Sequence, residues 1–165
     1  MSQAQARVGI LMGSESDLET MRAAATVLND LGVANELHVM SAHRTPEEAA
    51  AYARDAEGRG IRVLIAGAGM AAHLAGALVA QSILPVIGVP LNAGTLGGLD
   101  ALLATVQMPP GLPVATVAIG GAQNAGLLAA AILALSDDDL RDKLRARRRT
   151  MQDKVLAADA KLQGA

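Results

Sequence analysis

The sequence predicts an α/β fold built on a central parallel β-sheet, and three observations carry that expectation. Short apolar runs recur along the chain, each run ends in a turn rich in glycine, serine or threonine, and each turn opens a segment with apolar residues at helical spacing. Strand, capped turn and helix, repeated in that order, is the pattern of βαβ units. Their right-handed crossovers bring the loops that follow the strands to one edge of the sheet, where open α/β sheets bind ligands.

Val8 to Met12 is the first apolar run, bounded by Gly13, and reads as a buried strand. In the turn that follows, Ser16 with Glu19 three residues on forms a capping-box pattern that predicts a helix through Leu31. Leu18, Met21, Ala25, Leu28 and Leu31 give that helix its apolar stripe, and Gly32 is placed to stop it. Val33 to Met40 reads as the second strand. The turn Ser41-Ala42-His43-Arg44-Thr45-Pro46 leads into the second helix, with Thr45 as N-cap, Pro46 as first residue, Glu48 placed to close a capping box, and an end near Arg59. Ile61 to Ala66 is the third strand, ending in the turn Gly67-Ala68-Gly69. Beyond it the rhythm predicts helices over 70–81, 97–106 and 122–135, strands over 84–89 and 113–119, and a charged terminal helix over 137–160. Residues 1–165 read as one domain with a core over about 7–136.

Composition narrows the function. A net charge of −2 gives no electrostatic reason to expect a nucleic acid as partner, and the single aromatic residue, Tyr52, offers no stacking platform. With no cysteine the chain has no disulfide, thiolate metal site or thiol nucleophile. Met1 to Arg7 carries no signal-peptide apolar region, so a cytoplasmic protein is expected. Between Val63 and Ser136 the only Asp, Glu, Lys or Arg is Asp100. Helices without a polar stripe must be covered, and a domain of this size cannot bury them all alone. Packing against other copies of the chain is the economical expectation. A membrane span from Val63 to Ala80 is the competing one, but His73, Gly67, Gly69 and Gly76 interrupt it. Arg145, Arg147, Arg148 and Arg149 read as a solvated helix face balanced by nearby aspartates.

The Ser41–Pro46 turn is the candidate site. It places an imidazole, a permanent cation and two hydroxyls at a predicted helix start, where unpaired N–H groups suit an anion. His43 is the side-chain type that changes protonation near neutrality. Ser16, Asp17 and Thr45 also suit helix starts in any protein, and His38 alternates with Leu37 and Val39 as an ordinary strand residue. Gly67-Ala68-Gly69 and Gly120-Gly121 read equally as tight turns or as close approaches to a ligand. Neither matches a dinucleotide or P-loop fingerprint, and no His/Asp/Glu spacing predicts a metal. The residues alone point to a small α/β oligomer with an edge site for a phosphorylated small molecule and one proton carrier.

Several motifs in fixed order extend this. Met12-Gly13-Ser14-Glu15-Ser16-Asp17, Ser41-Ala42-His43-Arg44-Thr45-Pro46, Gly67-Ala68-Gly69 with Ala71-Ala72-His73-Leu74, Leu84-Pro85-Val86-Ile87-Gly88-Val89-Pro90, Gly98-Leu99-Asp100-Ala101-Leu102-Leu103, Val106-Gln107-Met108-Pro109 and Pro113 to Ile119 closely resemble the PurE family of purine biosynthesis, from about Val8 to Leu144. The resemblance implies a flavodoxin-like, doubly wound three-layer sandwich whose terminal helix packs on neighbouring subunits of a homo-octamer. It implies a class I activity, the N5-carboxyaminoimidazole ribonucleotide mutase, with a ribonucleotide substrate, no metal and no cofactor. A second branch carboxylates aminoimidazole ribonucleotide directly with CO2 and typically carries lysine after the active-site histidine, where this chain has Arg44. A nucleotide-binding module without catalysis is the reading from another class. By resemblance His43 is the proton shuttle, and Ser14, Asp17 and Arg44 hold the nucleotide, with Ser16 and Ser41 adding hydrogen bonds. Gly67, Ala68, Gly69 and Leu74 line the ring pocket, and His73 has a structural or supporting role. Leu18, Met70 and Ala75 depart from residues frequent in the family, namely tryptophan, glycine and proline.

Overall fold

The structure, a computed structural model, describes residues 5–164. Residues up to Ala130 form one compact unit and those from Ala131 a second. The first unit contains five parallel strands, β1 (Val8–Met12), β2 (Asn35–Val39), β3 (Val63–Gly69), β4 (Val86–Leu91) and β5 (Ala115–Thr116), in the order β2-β1-β3-β4-β5. This is the flavodoxin order, and the direction of winding reverses between β1 and β3.

Sequence explains the layering. All of β1 and β4 and the first five residues of β3 are buried, as near-continuous apolar runs must be in a parallel sheet covered on both faces. The polar β2, Asn-Glu-Leu-His-Val, takes an edge. Helices α2 (Pro46–Ala56) and α3 (Leu74–Val79) close one face around Leu11, Leu64, Ala66 and Val86. On the other face α1 (Leu18–Asp30) sets Met21 over Gly67, and Gly126 of α5 (Ala122–Leu133) lies tight against Ala24 and Val27 of α1. Helix α4 (Leu99–Val106) packs through Thr105 onto Gly88, where a side chain would collide.

Several expected boundaries shift, each for a physical reason. The third strand runs through Gly67-Ala68-Gly69, which pair with Val89, Pro90 and Leu91; the tract is strand rather than turn. Its glycines answer close packing, since a Cβ at Gly67 would strike the Met21 side chain and one at Gly69 would stand 2.6 Å from the Ala93 Cβ. The helix expected over 70–81 therefore shrinks to α3, after an irregular turn at Met70–His73. The last strand shrinks to two residues, entered through Pro109, Pro110, Gly111 and Pro113. After it, Val117 and Gly120 N–H groups still donate to the carbonyls of Gly88 and Pro90, at 3.1 and 2.8 Å. Ser14, not Ser16, caps the first helical turn, a 3-10 turn at Glu15–Asp17.

The second unit holds the end of α5, a 3-10 turn at Ala134–Ser136 and α6 (Asp138–Leu162). Asp137 caps α6 by accepting from the Leu140 N–H at 3.1 Å. Arg141–Asp138 and Arg145–Asp142 pairs, 2.8 and 2.9 Å apart, brace the exposed face one turn apart. Met151, Val155, Leu156 and Leu162 of α6 are exposed. Among the described residues no helix is long and apolar enough to cross a membrane.

Candidate functional site

The reversal between β1 and β3 puts three turns side by side at the strand ends. After β1, Ser14 is extended, and its hydroxyl accepts from the Ser16 N–H and hydroxyl at 3.4 and 3.0 Å. After β2, the Ser41 hydroxyl is buried and accepts from the N–H groups of His43 and Arg44 at 3.3 and 3.2 Å. Thr45 takes the N-cap position of α2 with Pro46 first in the helix, as expected, but its side chain makes no cap hydrogen bond. Its hydroxyl accepts from the Ser41 N–H at 2.8 Å and donates to the Ser41 carbonyl at 3.1 Å, so it locks the turn that presents His43 and Arg44. No side chain caps α2, and the expected box with Glu48 gives way to a Thr45 N–H bonded to Ser41 O at 2.9 Å.

Arg44 joins the first two turns, its Nη2 donating to the Gly13 carbonyl at 2.7 Å. The third turn follows β3. His73 reaches back so that its Nδ1 lies 2.8 Å from His43 Nε2, with ring centroids 4.9 Å apart and planes at 74°. At that distance one nitrogen donates and the other accepts, so the pair holds a proton between them. Burial pushes the Asp17 carboxyl above its usual value, against hydrogen bonds from the Ser14 backbone and the Ser16 hydroxyl and the charge of Arg44.

These turns enclose a cavity of about 230 Å³. Ser14, Ser16, Asp17, Ser41, His43, Arg44, Ala68, Gly69, His73 and Leu74 all line it. Gly67 is the correction: it is buried beneath Met21 and takes part through its carbonyl, which accepts from the Gly13 N–H at 3.2 Å. The lining reaches Arg44 but not Thr45 or Pro46, so the positive charge at the cavity is the guanidinium rather than the start of α2. Among the described residues no three His, Asp or Glu side chains are grouped as metal ligands.

The family model for AIR carboxylase matches residues 7–154. The chain belongs to the AIR carboxylase family. It is 57% identical over 146 residues to the N5-carboxyaminoimidazole ribonucleotide mutase of Pyrococcus abyssi, covering 88% of this chain and 84% of that protein. To the mutase of the same name from Bacillus subtilis it is 54% identical over 160 residues, 96% of this chain and 99% of that one. The crystal structure of Treponema denticola PurE superposes with a TM-score of 0.86 at 29% identity, covering 94% of this chain and 97% of that chain.

Within this member of the AIR carboxylase family, the lining also includes five residues to which the sequence assigns no site role: Gly13, Ala42, Met70, Ala71 and Ala93. Ala93 follows β4, and the rule that strand ends face the ligand would have found it. Met70 is a non-glycine residue at φ +54°, and it alone has that property among the described residues. Left-handed backbone costs a side-chain-bearing residue roughly 1–2 kcal/mol, and the sequence signal for it is methionine standing where glycine is frequent in the family.

Proposed function

We propose that the chain is an N5-carboxyaminoimidazole ribonucleotide mutase, an isomerase of purine biosynthesis that yields 4-carboxy-5-aminoimidazole ribonucleotide. The observation that carries this reading is the union of His43, Arg44 and the Gly13–Asp17 turn around one cavity, in a chain more than half identical to proteins bearing that name.

In this reading Arg44, with Ser14 and Ser16, holds the 5′-phosphate, Asp17 accepts from the ribose hydroxyls, and Ser41 orders the turn. Ala68, Gly69 and Leu74 face the imidazole ring. Protonated His43 gives its proton to the carbamate nitrogen as the carbon–nitrogen bond breaks, releasing CO2 and an electron-rich aminoimidazole. Carbon 4 attacks the CO2, and neutral His43 removes the proton from that carbon. The proton ends where it began, so one acid/base group serves both steps. His73 supports it by fixing the ring of His43 and sharing its proton. The ring supplies its own nucleophilic carbon, so the transfer needs no organic cofactor.

The chain is a single PurE-like domain in this account and works in the cytoplasm as a homo-octamer, with α6 packed on neighbouring copies. Support for assembly is the exposed stripe Leu99, Leu103 and Val106 on α4, one helical face inside the stretch whose only charge is Asp100. Light scattering at micromolar protein tests the assembly, and a monomer would refute it.

The activity is tested by supplying each carboxylated isomer separately and following ultraviolet absorbance. Interconversion without added bicarbonate is expected. Turnover only of aminoimidazole ribonucleotide with bicarbonate would make the chain a direct carboxylase, and nucleotide binding without any exchange would make it a binding module.

A further inference from the structure

We propose that Met70 seals the cavity over the reacting ring and holds the freed CO2 there, an inference that rests on the mutase reading. Met70 lines the cavity while 58% of its surface meets solvent, so it is the boundary between the two. Its side chain crosses to the loop after β4: a methyl group built on Gly94 would stand 3.5 Å from Met70 Cγ and 3.9 Å from its sulfur. Ala93, beside that contact, also lines the cavity and presses on Gly69. The thioether thus closes the gap between the turn after β3 and the loop after β4, on the turn that also carries His73.

Met70 holds this place at φ +54°, where glycine would be relaxed. A strained backbone kept by a long apolar side chain points to a use for that side chain. The proposed reaction supplies one. CO2 is small, apolar and free between the two bond changes, and water at the enamine would return it to solution as bicarbonate. Methionine has three rotatable bonds and a polarizable sulfur, so it can swing aside for the nucleotide and return over the ring without backbone motion. Gly94 beneath it, itself at φ +72°, offers no side chain to obstruct that swing.

The test feeds substrate labelled with carbon-13 in its carboxyl group to the enzyme in unlabelled bicarbonate. It reads label retained in the product and aminoimidazole ribonucleotide released per turnover, above the rate without enzyme. Wild type and Met70→Leu are expected to keep the label. Met70→Gly is expected to melt no lower than wild type yet to leak roughly tenfold more, the scale of one lost apolar contact of this size. Met70→Asn, which tolerates the same backbone, is expected to leak alike and covers the case in which the glycine variant folds poorly. Retention equal to wild type in both Met70→Gly and Met70→Asn would overturn the seal with the mutase reading intact. A wild type that exchanges its label freely would overturn it too. A wild type that converts neither isomer would fell the mutase reading and the seal together.

Discussion

Two polar clusters share the β2–α2 unit, and they are built in opposite ways. Around Glu36 the groups answer one another, save His38 Nε2, which is buried without a hydrogen bond. Its carboxylate accepts from Tyr52 Oη at 2.8 Å and Arg59 Nη2 at 2.9 Å, lies 3.3 Å from His38 Nε2, and the Arg59 guanidinium sits 4.6 Å from the Tyr52 ring centroid. Burial alone would raise Glu36, but the hydrogen bonds from Tyr52 and Arg59 and the charges of Arg59 and His38 hold it below its usual value. Around His43 the ties are sparse and directed at the cavity. His43 and His73 are exposed and bonded to each other, Arg44 spans to Gly13, and Asp17 is pushed the opposite way from Glu36. A cluster that satisfies itself is scaffold; one that leaves charge facing a cavity has a ligand to meet.

That contrast is broken or sharpened by substitution. His43→Asn should lower turnover by ~10²-fold or more, the usual size of a general acid/base contribution, with melting temperature and nucleotide affinity nearly unchanged. Near-normal turnover would remove His43 from the chemistry. Arg44→Ala should weaken nucleotide binding by roughly 10- to 100-fold in calorimetry, as expected for a charge-assisted hydrogen bond. An unchanged affinity would take the phosphate away from Arg44.

Effects in the Glu36 cluster should fall on stability instead. Tyr52→Phe should cost about 1 kcal/mol in urea unfolding and leave kcat/KM alone. A matching loss of activity would erase the distinction between the clusters. Smallest are the pH effects, and their signs differ. Glu36 has a lowered folded-state value, so its contribution is present above the ordinary carboxylate range and fades as pH falls through that lowered value. Glu36→Gln should therefore flatten the acid limb of a melting-temperature profile. Asp17 has a raised value, so its contribution is present at low pH and fades as pH rises through and beyond the ordinary range. Asp17→Asn should leave the protein no less stable at neutral pH while weakening nucleotide binding; a clear loss of stability there would make Asp17 part of the scaffold.

Much of this was legible in the sequence because it is local. The apolar runs of β1, β3 and β4, the turns between them and the convergence of the Gly13 and Ser41 turns at one sheet edge follow from residue pattern and handedness. Contacts across the sequence were not legible. The His43–His73 bond joins residues thirty positions apart, and spacing says only that both turns share an edge. Resemblance places Gly67 in the pocket lining, while residue type leaves the tract open between turn and ligand approach; its missing side chain makes room for Met21. Thr45 looked like a cap, but its hydroxyl found a nearer partner in the Ser41 backbone. In each case residue type was read correctly and the competing partner decided the outcome.

The most direct measurement is a crystal structure of the His43→Asn variant with the N5-carboxylated nucleotide bound. The account predicts the sugar phosphate between Arg44 and the Ser14–Asp17 turn, with carbon 4 of the ring facing residue 43 and Met70 closed over it. A nucleotide seated elsewhere, or one whose ring points away from position 43, would contradict it.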